Sequence, residues 1–334
     1  MAGKSKAKAC QWISLEDALS VFASWDAGTE SAEHITPFHW YISSRLVVEG
    51  GFNPEHIKPR PPFRIEKKGK RHVLHHDEAV AKGHGGEAAV LGGLKTKNID
   101  VVVALPGIGP VIGVSLKGSL GAFRNLTNRL EEAVGDCTNL HIAYPAFVYG
   151  FVHLIRANRA GVIPAHLANT LEPNKKTGFM KASDVAIRPD GSVSPFISTY
   201  HDAIARLAGR RDLRNDLSRY EAIAIVMADG GGPDQTASIG KYPPIASPLR
   251  FESFFRSLYQ QYYLRFVFGA PSLIGTTRRL IWDSSSPAFG DLRLGAVVPR
   301  IAEGDEPDSD LKLLKDAAIE LELKANETDD DHSD

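Results

Sequence analysis

Ile99-Asp-Val-Val-Val-Ala-Leu105 and Val111-Ile-Gly-Val-Ser-Leu-Lys117, joined by Pro106-Gly-Ile-Gly-Pro110, decide how this chain folds. Both runs are short, apolar and rich in β-branched residues, and the linker between them is dense in Pro and Gly. The pair predicts a β-hairpin. A turn centred between Ile108 and Gly109 sets Asp100 directly opposite Lys117, with Ser115 a diagonal neighbour on the same face. Val101, Val103 and Leu116 then point to the other face, into apolar packing. A carboxylate and a lysine meet at one end of a buried hairpin.

Downstream, the segment GSLGAFRNLTNRLEEAV begins at Gly118, and Phe123, Leu126, Leu130, Ala133 and Val134 recur in it at helical spacing. Glu131 falls two turns after Arg124 and one turn after Thr127 and Asn128, a polar stripe beside the apolar one. Buried strands follow over 146–155 and 222–227, with a helix over 200–217 between them and a long aromatic helix over 250–268. The connection from Lys117 through the helix to 146–155 is long enough for a right-handed crossover, which folds the helix back over the hairpin. That brings a second carboxylate to Asp100, and two carboxylates with water suit a hard cation such as Mg²⁺.

Upstream, Ser14-Leu-Glu-Asp17 forms a capping box that opens a helix. A second helix runs from Thr36-Pro37 to Gly50-Gly51. Residues 52–72 form an extended, basic, exposed segment, and a glycine-weakened helix is expected over 75–91. Strands alternating with helices indicate an α/β fold with a mixed sheet covered on both faces. The expected organisation is an N-terminal helical region with the basic segment (1–74), a core with a C-terminal helical elaboration (75–302), and an acidic, disordered tail (303–334) with a short helix over 309–323.

With 43% hydrophobic and 24% charged residues in 334, the chain can bury a sizeable core. Cys10 and Cys137 are too few for a disulfide framework and too far apart for a zinc motif, which points to a reducing, cytoplasmic setting. No apolar stretch follows the basic N-terminus as a leader would, and no run approaches a membrane span. The net charge of −1 hides an asymmetry: thirteen acids against three lysines give the tail −10, leaving residues 1–302 at +9. A basic body suits a partner rich in phosphates.

Asp100…Ser115-Leu-Lys117 resembles the PD-(D/E)XK nuclease signature, in the variant where serine takes the acidic place before the lysine. That variant is similar to Type II restriction endonucleases of the CCGG-recognising subgroup. There the missing acid comes from the following helix, at a spacing where this chain has Glu131, and a further glutamate precedes the first catalytic strand, a place that Glu87 takes. The resemblance spans roughly residues 75–230. It implies a restriction-endonuclease-like αβββαβ core, Mg²⁺ held by Asp100 and Glu131, and Lys117 positioning or activating a water. The implied reaction is hydrolysis of double-stranded DNA at a specific short site, leaving 5′-phosphates. The implied setting is prokaryotic, with a homodimer or homotetramer and a cognate DNA methyltransferase. Ile99 stands where the family often has proline, and of the arginine-rich base-reading motif only Arg124 remains.

Two other readings stay open: a nuclease of the same fold in DNA repair or phage defence without a fixed target, and a DNA-binding module with a decayed site. For DNA contacts, Arg124, Asn125, Asn128 and Arg129 suit bases. Lys67, Lys68 and Arg71, with Lys58, Arg60, Arg64 and Lys70, suit phosphates. Pro189-Asp190 reads as a turn, His72, His75 and His76 as an exposed helix start, and Gly230–Pro233 as a loop lacking the P-loop lysine.

Overall fold

The computed structural model describes residues 8–28, 32–69, 71–232 and 234–301. Lys70 and the tail, with its expected helix over 309–323, lie outside the described residues. The chain runs through α1 (Leu15–Ala23), α2 (Thr36–Val48), β1 (Ile57–Lys58), β2 (Phe63–Lys68), β3 (Arg71–His76), β4 (Ala88–Leu91), β5 (Thr96–Ile99), β6 (Val101–Leu105) and β7 (Gly109–Ser119). It continues through α3 (Leu126–Ala143), β8 (Val148–Arg156), α4 (Pro195–Ala205), β9 (Ala222–Asp229), β10 (Ser238–Ile239) and α5 (Phe251–Tyr262).

A six-stranded mixed sheet in the order β1-β6-β7-β8-β9-β10 carries the fold. Strands β6 and β7 are antiparallel, β7, β8 and β9 are mutually parallel, and the short β1 and β10 close the edges antiparallel. The parallel strands are covered on both faces, and so every residue of β8 is buried. One face packs Val101, Val103, Val114 and Leu116 against α1, α2 and α5 through Phe22, Phe38 and Phe254. The other packs Tyr149, Phe151, Ile223 and Ile225 against α3 and α4 through Cys137, Leu140 and Ile204. Each large apolar side chain buried in this way contributes ~1.5–3 kcal/mol. The elements α2–β1–β6–β7–α3–β8 run in the order α, β, β, β, α, β, with two small hairpins, β2–β3 and β4–β5, inserted before β6.

Local chemistry explains the ends of several elements. Ser14 caps α1 by accepting the Asp17 N–H at 3.1 Å, as the capping box requires. Pro37 opens α2. The aromatic helix α5 buries Phe251, Phe254, Phe255, Tyr259 and Tyr262 and loosens into a π-helical turn over Tyr263–Phe268.

Several expectations are corrected. No helix forms over 75–91: β3, a single 3₁₀ turn and β4 occupy it, because Gly83, Gly85 and Gly86 give a helix no support and Gly83 and Gly86 adopt positive φ. His72, His75 and His76 therefore lie on a strand. The 52–72 segment is not wholly exposed, since Phe52, Ile57 and Phe63 are buried beneath its basic side chains. The helix expected over 200–217 is α4, ending at Ala205. The hairpin register also differs: Val101 pairs with Val114, and a bulge lies between Val103 and Ala104. Continued, this sets Asp100 level with Ser115 rather than Lys117. The shift is two residues, so the faces are unchanged.

Candidate active site

Asp100 sits at the bend between β5 and β6. Beyond Val114, β7 has no backbone partner on the β6 side. The Asp100 carboxylate takes over the exposed hydrogen bond: Oδ2 accepts the Leu116 N–H at 2.7 Å. Here β7 runs on past its neighbour and carries Lys117 and Ser119 into a cleft of about 670 Å³. Glu87, Asp100, Asn125 and Arg129 also line it. The cleft opens at the carboxyl end of the parallel strands, where successive connections diverge and leave a crevice.

Burial pushes the Asp100 carboxyl up to about 6, against the opposing pull of the Leu116 amide, Lys117 and Lys97. Glu87 reaches the same cleft from the loop before β4, close enough to bear on the Asp100 carboxyl. From the opposite face of the sheet, α2 presents His39, with Nε2 3.6 Å from Asp100 Oδ1. That nitrogen is buried without a hydrogen-bond partner, and burial lowers the imidazole to about 4.

Two ion pairs from α3 bracket this centre. Lys117 Nζ donates to Glu132 Oε1 at 2.8 Å, and Arg129 donates to Oε2 of the same carboxylate at 2.9 Å. Burial would raise the Glu132 carboxyl, but the two cations outweigh it and hold it at about 2. One turn on, Asp136 pairs with Lys97 at 2.5 Å. Residues 132 and 136 share a helix face, so α3 is docked by two acids at i, i+4 spacing.

The structure brings Asp100, Glu87 and Lys117 together and leaves Glu131 outside. Glu131 is exposed, in a stripe with Arg124, Thr127 and Asn128 that is polar because it faces solvent. Its neighbour Glu132 is turned toward the sheet instead, and it pairs with Lys117 rather than joining Asp100. Ser115 turns its hydroxyl to Tyr149 at 2.6 Å, buried beneath α3 rather than in the cleft. Asn125 and Arg129 are exposed along the cleft, Arg124 and Asn128 are exposed on the solvent-facing stripe of the helix beside it, and Lys67, Lys68 and Arg71 are exposed on the β2–β3 hairpin. Lys68 there pairs with Asp283 at 3.3 Å.

Sequence reasoning missed His39 and a buried polar chain behind Lys117: Ser119 Oγ lies 2.9 Å from His153 Nε2, and His153 Nδ1 lies 2.6 Å from the Tyr200 hydroxyl. One signal was available, since His153 interrupts an otherwise apolar strand.

A divalent cation fits this donor set in part. Asp100 and Glu87 supply hard oxygens beside an orphaned imidazole nitrogen, and Mg²⁺ commonly takes one or two carboxylates while keeping its waters. Among the described residues, no three His, Cys, Asp or Glu side chains are already gathered as a metal cage. Also among the described residues, no helix is long and apolar enough to cross a membrane. No known protein family, curated protein or solved structure matches this chain.

Proposed function

We propose that the chain is a metal-dependent nuclease hydrolysing phosphodiesters of double-stranded DNA. The observation that carries this reading is the convergence of Asp100, Glu87 and Lys117 on one cleft at the end of β7. Asp100 and Glu87 would hold Mg²⁺, which when bound supplies positive charge to the scissile phosphate and to the departing oxygen. Lys117 contributes an ammonium that binds a phosphate oxygen or orients the attacking water. The Leu116 amide fixes the Asp100 carboxylate, and Glu132 fixes the ammonium of Lys117, so little rearrangement is required of the protein during the reaction. Arg129 and Asn125 at the rim, with Arg124 and Asn128, contact the duplex beside the cut, and Lys67, Lys68 and Arg71 contact phosphates further along. The finer reading is that of a Type II restriction endonuclease: cleavage at a short fixed site, 5′-phosphate products, a homodimer or homotetramer and a partner methyltransferase. It rests on the resemblance of Asp100…Ser115-Leu-Lys117.

The test is cleavage of plasmid DNA with Mg²⁺ or Mn²⁺, followed by sequencing of the ends. Wild type should cut, and Lys117→Ala and Asp100→Ala should each leave less than about 1% of the rate, a loss of ~3 kcal/mol or more. Cleavage by either variant near the wild-type rate would remove the assignment. A single sequence at all ends supports the restriction reading, and scattered ends support a nuclease of repair or defence.

A further inference from the structure

The chain Ser119–His153–Tyr200 joins the cleft to the protein interior, and hydrogen-bond accounting sets its direction. His153 is fully buried on β8 in register with Lys117, and Tyr200 is 2% exposed on α4. Among the described residues the Tyr200 hydroxyl has one polar partner, His153 Nδ1. A buried phenol that accepted a proton from Nδ1 would strand its own, and an unsatisfied buried donor carries the full cost of its desolvation. Tyr200 therefore donates to Nδ1. A neutral imidazole with a bare Nδ1 carries its proton on Nε2. Burial foremost, helped by the nearby charges of Arg129 and Lys117, keeps the ring neutral, lowering it to about 3. Nε2 then donates to Ser119 Oγ. With its oxygen occupied as acceptor, Ser119 has its hydroxyl proton left to offer, and Ser119 lines the cleft two residues beyond Lys117, on the same face of β7.

We infer that Ser119 is a phosphate-binding residue of the cleft, its hydroxyl proton turned toward the substrate by the buried Tyr200–His153 pair. The ligand class is a phosphodiester oxygen, and that identification rests on the nuclease reading above. Tyr200 and His153 are positioning residues: neither reaches the cleft, and both act through the Ser119 hydroxyl. The same histidine in the opposite tautomer would make Ser119 a donor to the protein and leave the cleft facing lone pairs, which repel phosphate. The direction of one buried proton thus decides whether this wall attracts or repels the backbone of a nucleic acid.

Two measurements on the full chain test this. Long-range proton–nitrogen spectra of the imidazoles in the wild-type protein, with His153 assigned through its backbone connectivity, should show a protonated Nε2 and a bare Nδ1; the opposite tautomer overturns the proposal, and no variant need fold for that result. Binding of a duplex DNA by fluorescence anisotropy, with Ca²⁺ in place of Mg²⁺ to prevent turnover, should weaken about tenfold in Ser119→Ala. It should recover in Ser119→Thr, which keeps the hydroxyl, and fall in Tyr200→Phe together with a changed His153 nitrogen spectrum. Ser119→Ala binding as tightly as wild type overturns the proposal. Loss of binding in Ser119→Ala by a protein that never cleaves DNA keeps this inference and retires the nuclease reading. Cleavage with unaltered Ser119→Ala binding does the reverse.

Discussion

Lys117 Nζ lies 2.8 Å from Glu132 Oε1, across the gap between β7 and α3. The pair ties Lys117, which lines the cleft, to the helix that packs above β7, and it leaves Glu131, one residue earlier, in solvent. Consecutive residues on a helix differ by about 100° in direction, so the two glutamates cannot share a role.

Glu132→Gln removes the charge that holds the Lys117 ammonium. The expected result is a fall in cleavage rate of more than about tenfold, because an ammonium without its partner samples several rotamers. Glu131→Gln changes a solvated charge, worth about 0.5 kcal/mol or less, and should keep near wild-type activity. Single-turnover rates of the two variants decide between these residues, and a greater loss in Glu131→Gln would show that α3 is rotated in the protein bound to DNA.

Asp100 is raised from 3.8 to about 6 by burial. A carboxyl with a raised pKa favours the folded state fully at low pH, and the contribution is lost as pH rises through about 6. Near pH 8 the ionised, buried carboxylate therefore costs stability, ~3 kcal/mol at most for a shift of this size. Asp100→Asn keeps an acceptor for the Leu116 amide and should melt higher than wild type near pH 8, with no such advantage near pH 4. Mg²⁺ should raise the melting temperature of wild type and leave that of the variant unmoved; equal Mg²⁺ shifts in both would place the cation elsewhere.

Glu221 lies just before β9, at the end of the parallel strands opposite the cleft, and is buried. Its Oε1 accepts from Arg210 at 2.9 Å and Arg265 at 2.7 Å, and its Oε2 accepts the Tyr149 N–H at 2.6 Å. Burial would raise its carboxyl, but His141, Arg265 and the Tyr149 amide pull it down from 4.5 to about 2. A lowered acid stabilises the fold above the unfolded value and loses that contribution as pH falls through the folded one. Urea midpoints should accordingly drop between about pH 5 and 2 in wild type, by ~3 kcal/mol of stability at most. Glu221→Ala strands two buried guanidinium groups and should cost ~3–5 kcal/mol at neutral pH. A variant as stable as wild type would mean that the network is replaced by water.

The β2–β3 hairpin and the α3 rim should separate in their response to salt. If Lys67 and Arg71 neutralise phosphates, Lys67→Ala with Arg71→Ala lowers the slope of log K against log salt by about 1.8, equally for all duplex sequences. Arg124→Ala and Asn128→Ala on the exposed face of α3 should instead change which sequences are preferred, each contact being worth ~1–3 kcal/mol if it reads a base. An unchanged slope in the hairpin variant would remove that arm from the DNA interface.

The sequence by itself determined the mixed α/β sheet, the hairpin of β6 and β7, and the sides taken by its side chains. Strand alternation has a period of two, so Leu116 and Lys117 had to face opposite sides of β7, and a register shift of two residues left Val101 and Val103 on the face of Leu116. The Ser14 cap and the aromatic face of α5 were equally legible, because each depends on neighbours within one or two turns. Tertiary structure decided the rest. The position of the turn over Pro106–Ile108, offset by one residue at the bulge after Val103, moved Asp100 two places along β7, and the apolar contacts of Ala133 and Cys137 set the rotation of α3, selecting Glu132 over Glu131. Glu87 arrives on a loop where a helix was expected, and His39 comes from α2 on the opposite face. The partners of His153 come from β7 and α4, 34 and 47 residues away in sequence. Local periodicity cannot encode such meetings, since they depend on how finished elements pack, and the side chains that meet in the cleft carry no spacing signal of their own.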